Sequence, residues 1–161
     1  MYNQFFSGPV SETQTTQSYK PGEIVTTTDT TYGTRVWRYI KNTEAATAYA
    51  VGNLVRRKAA TVDNMSSVGA ATNKLARFLA LGVAQNVIAF GSYGFVLKEG
   101  IGYGLGDGSV AAGDSVMGDG TFGRMATATL TDAASVAAVV GVALEDDSGS
   151  PVLFRAHFAL P

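Results

Sequence analysis

Residues 102–120, which read GYGLGDGSVAAGDSVMGDG, contain seven glycines and three aspartates in nineteen positions. Each glycine in a helix interior costs about 1 kcal/mol relative to alanine, so this segment does not form a helix. No long amphipathic helical pattern occurs elsewhere in the chain either. Two segments could each hold a turn or two of helix, VGAATNKLA (68–76) and AQNVIAF (84–90). The sequence therefore favours strands and turns.

Short segments rich in β-branched and aromatic residues are separated by clusters of Gly, Asn, Asp and Ser, as in β-proteins. In TRVWRYIK, Val36 and Ile40 alternate with Trp37 and Tyr39, which is the period-2 pattern of a strand. Strands are predicted at residues 34–41, 53–57, 76–83, 93–99, 101–105, 114–117, 138–145 and 152–158. The prediction is an all-β, single-domain protein with at most one or two short helices.

Several of these segments occur twice at a nearly constant spacing. The matching pairs are AVGNLV (50–55) with AAGDSV (111–116), LGVAQ (81–85) with VGVAL (140–144), and GFVLK (94–98) with PVLFR (151–155). This spacing predicts a duplicated β unit whose copies bury their apolar faces together, as in a β-barrel or β-sandwich. The alternative is chance similarity among segments rich in Ala, Gly and Val.

The first 33 residues differ in composition from the rest. They are rich in Thr, Gln and Ser, contain Pro9 and Pro21, and have few core-type side chains. We therefore divide the chain into an extended N-terminal arm (1–33) and a barrel or sandwich core (34–161). Phe5 and Phe6 are candidate anchors of the arm, because two aromatic rings bury much apolar area at low entropic cost.

The formal net charge is only −1, so overall charge favours neither nucleic acid nor anionic membrane as a partner. Residues 35–77 carry an excess of basic side chains and residues 98–155 an excess of acidic ones. If folding separates these segments, the subunit is dipolar and attracts copies of itself or a charged partner. If folding interleaves them, the charges cancel locally. Arg56, Arg57 and Lys58 form the densest basic cluster, predicted to be solvated or interfacial.

No motif in the sequence nominates a catalytic or cofactor site. GDGSVA (106–111) fits a loose dinucleotide-binding pattern, but the glycines that follow prevent the helix which that motif requires. Asp107, Asp114 and Asp119 could bind calcium, but Asp-Gly pairs are also common in hairpin turns, and we favour turns. EDDSGS (145–150) is likewise read as a solvated turn. The single histidine, His157, lies in a predicted strand, and cysteine is absent. We expect no enzymatic activity, cofactor or metal.

The N-terminus lacks the basic and apolar regions of a secretory signal, and no stretch is apolar enough for a membrane span. We therefore expect synthesis in the cytoplasm and no membrane partner.

One combination of strands and turns is similar to a known family. Tyr93–Val96 (YGFV), Gly113–Asp114 and Val140–Glu145 (VGVALE) resemble motifs of the small capsid decoration, or cement, proteins of tailed bacteriophages. The upstream segments RVWRYIKN and AVGNLVRR resemble a leading strand of such proteins. The resemblance covers about residues 35–158.

The resemblance implies a non-enzymatic protein on the outer capsid surface of the virion, made in the host cytoplasm. It also implies a homotrimer bound to the major capsid protein where capsomers meet, without nucleic acid or membrane. We expect the contacts to involve Phe5, Phe6, Arg56, Arg57 and Lys58. An alternative is a host-attachment module of a phage fibre that recognises surface glycans. Four aromatic residues are available for that role, Tyr93, Phe95, Tyr103 and Phe122.

Overall fold

The structure is a computed structural model that describes residues 10–44, 47–57, 80–119, 123–131, 133–147 and 152–160. Within these ranges nine strands and one helix form. They are β1 (Ile24–Asp29), β2 (Gly33–Lys41), β3 (Leu54–Arg56), β4 (Ala80–Ala84), β5 (Tyr93–Leu105), β6 (Ser115–Gly118), β7 (Met125–Thr127), α1 (Ala133–Ala138), β8 (Gly141–Ala143) and β9 (Leu153–Ala159). The predicted all-β class is confirmed. No helix in the described ranges has the length and apolarity needed to cross a membrane.

The strands form one antiparallel sheet in the order β1-β2-β5-β9-β8-β6-β7, with β4 beside β5 and β3 beside β4. Strand β5 organises this arrangement, because its first half pairs with β2 and its second half with β9, the change falling at Glu99. The N–H of Leu54 in β3 donates to the carbonyl of Gly123, just before β7, at 2.8 Å. The path from β3 to β7 therefore returns close to its start, and the sheet curls into a barrel-like shape.

A large hydrophobic cluster fills the inside of the curled sheet. Each of the nine strands contributes at least one buried side chain, among them Val25, Trp37, Leu54, Val83, Leu97, Val116, Met125, Ala143 and Phe158. Burial of each large apolar side chain stabilises the fold by about 1.5–3 kcal/mol. Alternation along the strands places these residues on one face and leaves the other face for polar groups or a second layer.

A second, smaller cluster lies on the opposite face of β2, β3, β4 and β5. Its members include Ile40, Val55, Leu81 and Val96, with Tyr49 and Ile88 from the connecting loops. Tyr49 and Ile88 pair with each other through their backbones. The buried side-chain amide of Asn42 holds this cover in place by donating to the carbonyls of Thr47 and Ile88, both at 2.8 Å. This part of the sheet is therefore buried on both faces.

The predicted repeat is visible in the turns that precede β3 and β6. In the first copy, Asn53 Oδ1 accepts from the N–H of Ala50 at 2.8 Å, and Gly52 (φ 84°) donates to Ala84 at 2.7 Å. In the second copy, the equivalent bonds run from Ala111 to Asp114 at 3.0 Å and from Gly113 (φ 91°) to Ala143 at 2.9 Å. The strand registers also correspond, Leu54↔Val83 and Val55↔Gly82 matching Ser115↔Val142 and Val116↔Gly141.

The remainder of the repeat prediction is wrong in two respects. In the first copy Val83 is opposite Leu97, so the third sequence match predicts that Val142 is opposite Phe154. In the structure Val142 is opposite His157, which is a register shift of three residues. The copies also turn opposite faces to the large cluster, since Val55 belongs to the smaller cluster and its counterpart Val116 to the large one. Because the first copy is buried on both faces, its pattern of apolar residues does not reveal which face is inside.

The predicted arm is also corrected for residues 10–33. Gln14 forms a two-way backbone bridge with Tyr93, and the ring of Tyr19 packs on that of Tyr39 with 5.2 Å between centroids. Residues 24–29 form β1, which pairs with β2 along its whole length. These residues therefore belong to the body of the domain. Within the predicted arm, residues 1–9 lie outside the described ranges, and the arm stays a prediction for them.

The helix predictions were also inaccurate in position. In AQNVIAF, Ala84 ends β4 and residues 85–90 form a loop, in which the Gln85 side chain accepts from the Tyr103 N–H at 2.8 Å and donates to the Tyr103 carbonyl at 2.9 Å. Gln85 thereby imitates a backbone partner and extends the pairing of β4 with β5. VGAATNKLA lies outside the described residues. The helix that does form, α1, is an alanine-rich segment too short to show a helical period.

Candidate interaction surfaces

Two loops rich in carboxylates lie together at the C-terminal end of β5. We call residues 106–114 and 143–147 the acidic loops. Backbone bonds join them, from Gly113 N–H to Ala143 at 2.9 Å and from Asp147 N–H to Val110 at 3.0 Å. The two segments contain no Lys or Arg and five carboxylates, those of Asp107, Asp114, Glu145, Asp146 and Asp147.

Asp147 forms the centre of the acidic loops. Its side chain is buried, and its two oxygens accept from the N–H groups of Gly108 and Val110, both at 2.8 Å. Gly106 leaves the space for it, since a Cβ at that position would lie 2.6 Å from the Asp147 Cγ. The prediction that residues 145–150 are merely a solvated turn is therefore wrong for Asp147.

The other acidic side chains mostly accept from neutral donors. Asp107 accepts from the Ser109 N–H and hydroxyl, and Asp146 accepts from the Ala112 N–H at 2.7 Å. The Thr127 hydroxyl, together with a backbone N–H, lowers the pKa of the Asp114 carboxyl. Neutral donors orient a carboxylate without cancelling its charge, so the loops remain strongly negative.

Glu145 is the exception among the five carboxylates, because Arg155 forms an ion pair with it at 2.9 Å and lowers its pKa. Among the described residues, no three side chains of the Asp, Glu, His or Cys type are placed to share a metal ion. The geometry of the acidic loops is that of hydrogen-bonded turns with excess negative charge at the surface.

Three arginines lie on β2, at the end of β3 and directly after it, and we call Arg38, Arg56 and Arg57 the basic surface. Arg57 is exposed, whereas Arg38 and Arg56 are half-buried. Burial, and then the nearby Arg57 charge, lower the pKa of the Arg38 guanidinium. The Arg56 Nε is inaccessible and has no hydrogen-bond partner. The Arg38 guanidinium also donates to the Leu81 carbonyl at 3.3 Å.

The basic surface and the start of the acidic loops are connected through the turn before β3. Arg38 is opposite Val96, which pairs with Ala84 in β4. The Gly52 N–H donates to the Ala84 carbonyl at 2.7 Å, and the Leu105 N–H donates to the Gly52 carbonyl at 2.9 Å. The separation of the two charge classes into a dipole stays a prediction.

Large apolar side chains are exposed on the outer face of β8 and β9. Val142, Leu144 and Leu153 are 43%, 47% and 42% exposed, and they surround His157 and Arg155, which the strand pairing brings alongside. His157 faces Ile101 and Val142 in register, with neither a nucleophile nor a carboxylate at those positions. Adjacent exposed apolar residues on a sheet are typical of protein contact surfaces.

A second exposed apolar site lies on the loop between β4 and β5. Val87 and Phe90 are 58% and 56% exposed there. Sequence reasoning missed both sites, because the apolar residues of a strand or loop carry no mark of which side is covered.

A small cavity of about 180 Å³ separates residues 10–11 from the β1–β2 turn, with Tyr32, Arg35, Trp37 and Tyr103 among its lining residues. The Arg35 guanidinium lies 4.8 Å from the ring centroids of both Tyr32 and Trp37 and is paired with Asp29. The Tyr32 N–H, followed by other donors, lowers the pKa of Asp29. These contacts hold the β1–β2 turn in place.

The structure brings together only some of the predicted contact residues. Arg56 and Arg57 belong to the basic surface, whereas Phe5, Phe6 and Lys58 lie outside the described residues. Of the aromatic residues named for glycan binding, Phe95 is buried in the core and Tyr93 stacks on Tyr39 at 5.8 Å between centroids. Tyr103 is half-buried at the cavity, and Phe122 is outside the described ranges. The three that the structure describes, Tyr93, Phe95 and Tyr103, do not form one exposed aromatic face.

The described residues form an all-β domain with exposed charged and apolar surfaces. Among solved structures, the chain is similar to the head fiber gp8.5 N base of bacteriophage phi29, with a TM-score of 0.51 and 15% sequence identity. The match covers 76% of this chain and 94% of that one. At this identity the likeness concerns the fold. No family model and no curated protein sequence matches the chain.

Proposed function

We propose that this chain is a non-enzymatic structural protein of a phage virion, which binds the outer surface of the capsid and stabilises it. The observation that carries the proposal is the fold shared with a phage head-fibre base over 94% of that base. The motifs at residues 93–96, 113–114 and 140–145, which resemble capsid decoration proteins, support the same assignment independently.

In this proposal the partner is the major capsid protein, and the chain acts as a homotrimer at the junctions between capsomers. A trimer that grips three sites gains avidity without any new kind of contact. The exposed apolar residues Val142, Leu144 and Leu153 suit contacts between protein subunits. Residues 1–9, with Phe5 and Phe6, reach a neighbouring subunit or the shell.

A second candidate function is the capsid-proximal base of a head fibre that carries a host-binding part. The likeness to a head-fibre base favours it. The two candidates agree that the domain binds the capsid and differ in what that binding achieves. A cement protein raises the stability of the shell, whereas a fibre base serves attachment to the host.

The experiment uses heads of the virus that encodes this chain, prepared with and without the protein. We expect purified protein to sediment with heads that lack it, to saturate at a fixed number of sites, and to raise the temperature at which DNA is released. Saturable binding without a change in DNA release would favour the fibre base over the cement. No binding to heads would refute both.

The contribution of the N-terminal residues is tested by deleting residues 2–9 and leaving Val10 onward intact. The deletion must stop there, because β1 and the Gln14 bridge are part of the folded body. We expect lower occupancy on heads with an unchanged circular dichroism spectrum. Unchanged occupancy would remove Phe5 and Phe6 from the mechanism.

A further inference from the structure

We propose that the outer edge of β1 (Ile24–Asp29) binds an extended segment of the major capsid protein, which joins the sheet as a further strand. The inference rests on the proposed function and names the element through which the chain attaches to the shell. It begins from the position of β1 at one end of the sheet, where, among the described strands, β1 pairs with β2 alone.

The backbone groups of β1 point alternately toward β2 and away from it. The Tyr39 N–H of β2 donates to the Glu23 carbonyl at 2.9 Å, just before β1 begins. In antiparallel strands every second residue bonds the opposite strand, so the odd-numbered residues of β1 face β2. The N–H and carbonyl groups of the even-numbered residues, Ile24, Thr26 and Thr28, therefore face outward.

This outer edge lacks the features that usually protect an exposed strand. Proteins block free edges with lysine, proline, a β-bulge or a covering loop. β1 reads IVTTTD, and its register with β2 is continuous from end to end. Ile24, Thr26 and Thr28 are all exposed, and no other segment among the described residues pairs with them. Outward N–H and carbonyl groups at a spacing of two residues are complementary to the backbone of another strand.

The other edge strands of the sheet, β7 and β3, are bonded to segments of the same chain. The Met125 carbonyl of β7 accepts from the Asp107 N–H at 3.0 Å, and Gly106 forms a parallel bridge with Met125. The Leu54 N–H of β3 donates to the Gly123 carbonyl at 2.8 Å. Within the described residues, a second copy therefore has only its own β1 to place beside this edge.

Charge disfavours pairing of β1 with the β1 of a second copy. The register that pairs all the outward-facing residues has Thr26 at its centre and Ile24 opposite Thr28 of the other copy. It also places Glu23 opposite Asp29 of the other copy. Like charges directly opposite each other on paired strands are destabilising. The edge is better matched by a strand of different sequence, with a neutral or basic residue opposite Glu23, and in the proposed function the capsid protein supplies it.

The test is binding of the full chain to heads that lack it, with proline placed at Thr26. Proline removes the outward N–H and fills its space with the ring, but the bonds between β1 and β2 do not use that N–H. Proline is compatible with an edge strand where the N–H faces outward. We expect Thr26→Pro to raise the Kd for heads by at least about tenfold, because a partner carbonyl loses its donor and the ring blocks its approach.

The matched control is Thr26→Val, which removes the same hydroxyl and keeps the N–H. It should bind heads within about threefold of wild type, as an exposed substitution away from any special feature. Fluorescence of the buried Trp37 during urea unfolding checks that both variants fold. Equal binding by the proline and valine variants would overturn the inference, whether both bind as wild type does or both are weakened.

Amide hydrogen exchange of the wild type gives a second readout that needs no variant. In the free chain, the amides of Ile24, Thr26 and Thr28 should exchange fast, and those of Val25 and Thr27 slowly. On heads, exchange of the first three should slow by at least about tenfold. Unchanged exchange on heads would overturn the inference.

Protection of these amides in the free chain would overturn it as well, by assigning the edge to a second copy or to residues 1–9. The proposed function is tested separately by the wild type. Wild-type protein that does not bind heads refutes the proposed function and this inference together. Wild-type binding that Thr26→Pro leaves intact refutes the inference alone.

Discussion

Replacing the buried Asp147 with alanine tests whether the acidic loops are built around its carboxylate. The substitution leaves the N–H groups of Gly108 and Val110 without their acceptors, now at 2.8 Å each. A buried polar group left without a partner costs about 1–3 kcal/mol. Val110 is buried, whereas Gly108 is exposed and its N–H can bond to water. The cost for the Gly108 N–H is therefore at the lower end of this range.

We therefore expect Asp147→Ala to lower the free energy of unfolding by about 2–4 kcal/mol, a large share of the 5–15 kcal/mol typical of a domain. Asp147→Asn keeps one acceptor oxygen and should lower the free energy of unfolding by about half as much as Asp147→Ala. The matched control is Asp107→Asn, in an exposed turn closed by Ser109, which should stay within about 1 kcal/mol of wild type.

The assay is urea unfolding followed by fluorescence of the single tryptophan. Trp37 is buried at 2% exposure and donates from its indole to Thr27 at 2.8 Å, so its emission reports loss of the core. All variants are compared at one protein concentration, because association stabilises the folded state. A change of less than about 1 kcal/mol for Asp147→Ala would refute the reasoning.

Two further predictions follow from the turns of the repeat and from the acidic loops. Gly52→Ala and Gly113→Ala both place a side chain at positive φ, at a cost of about 1–2 kcal/mol. Gly52→Ala should lower the free energy of unfolding by about 1–3 kcal/mol more than Gly113→Ala, because a Cβ at Gly52 would lie 2.6 Å from the Leu105 nitrogen. A Cβ at Gly113 would have no neighbour within 4 Å. Equal losses of stability in urea unfolding would contradict this prediction. The lowered pKa of Asp114 means that its contribution to stability is present above the ordinary carboxyl pKa and is lost as pH falls through the folded-state value. Thr127→Val removes the hydroxyl donor and should raise that pKa in an NMR titration, and an unchanged pKa would show that the hydroxyl is not its cause.

The strand pattern of the sequence predicted much of the barrel, because period-2 alternation and glycine turns are local signals. Residues 34–41, 93–99 and 101–105 were recognised in this way, although the last two predicted strands are one strand, β5. β1 was missed because Val25 alone among its six residues is buried, and its Thr-rich composition has no apolar face. Its strand conformation comes from pairing with β2, which is a tertiary effect.

The candidate surfaces were harder to predict. The sequence identified Arg56 and Arg57 as a basic cluster, but Arg38 comes near Arg57 through the pairing of β2 with β5, of β5 with β4 and of β4 with β3. Asp147 looked like one more acid in a turn, since its partners Gly108 and Val110 lie nearly forty residues earlier in the chain. The outward direction of Val142 and Leu144 depends on the face that β8 turns to the core, which the repeat suggested wrongly.

The central claim is that the chain occupies the outside of a phage head. Electron cryomicroscopy of particles with and without this protein tests it most directly. We predict difference density on the outer capsid surface, at junctions between capsomers, into which the β-barrel fits. Particles that look the same with and without the protein, or density confined to the tail or the interior, would contradict it.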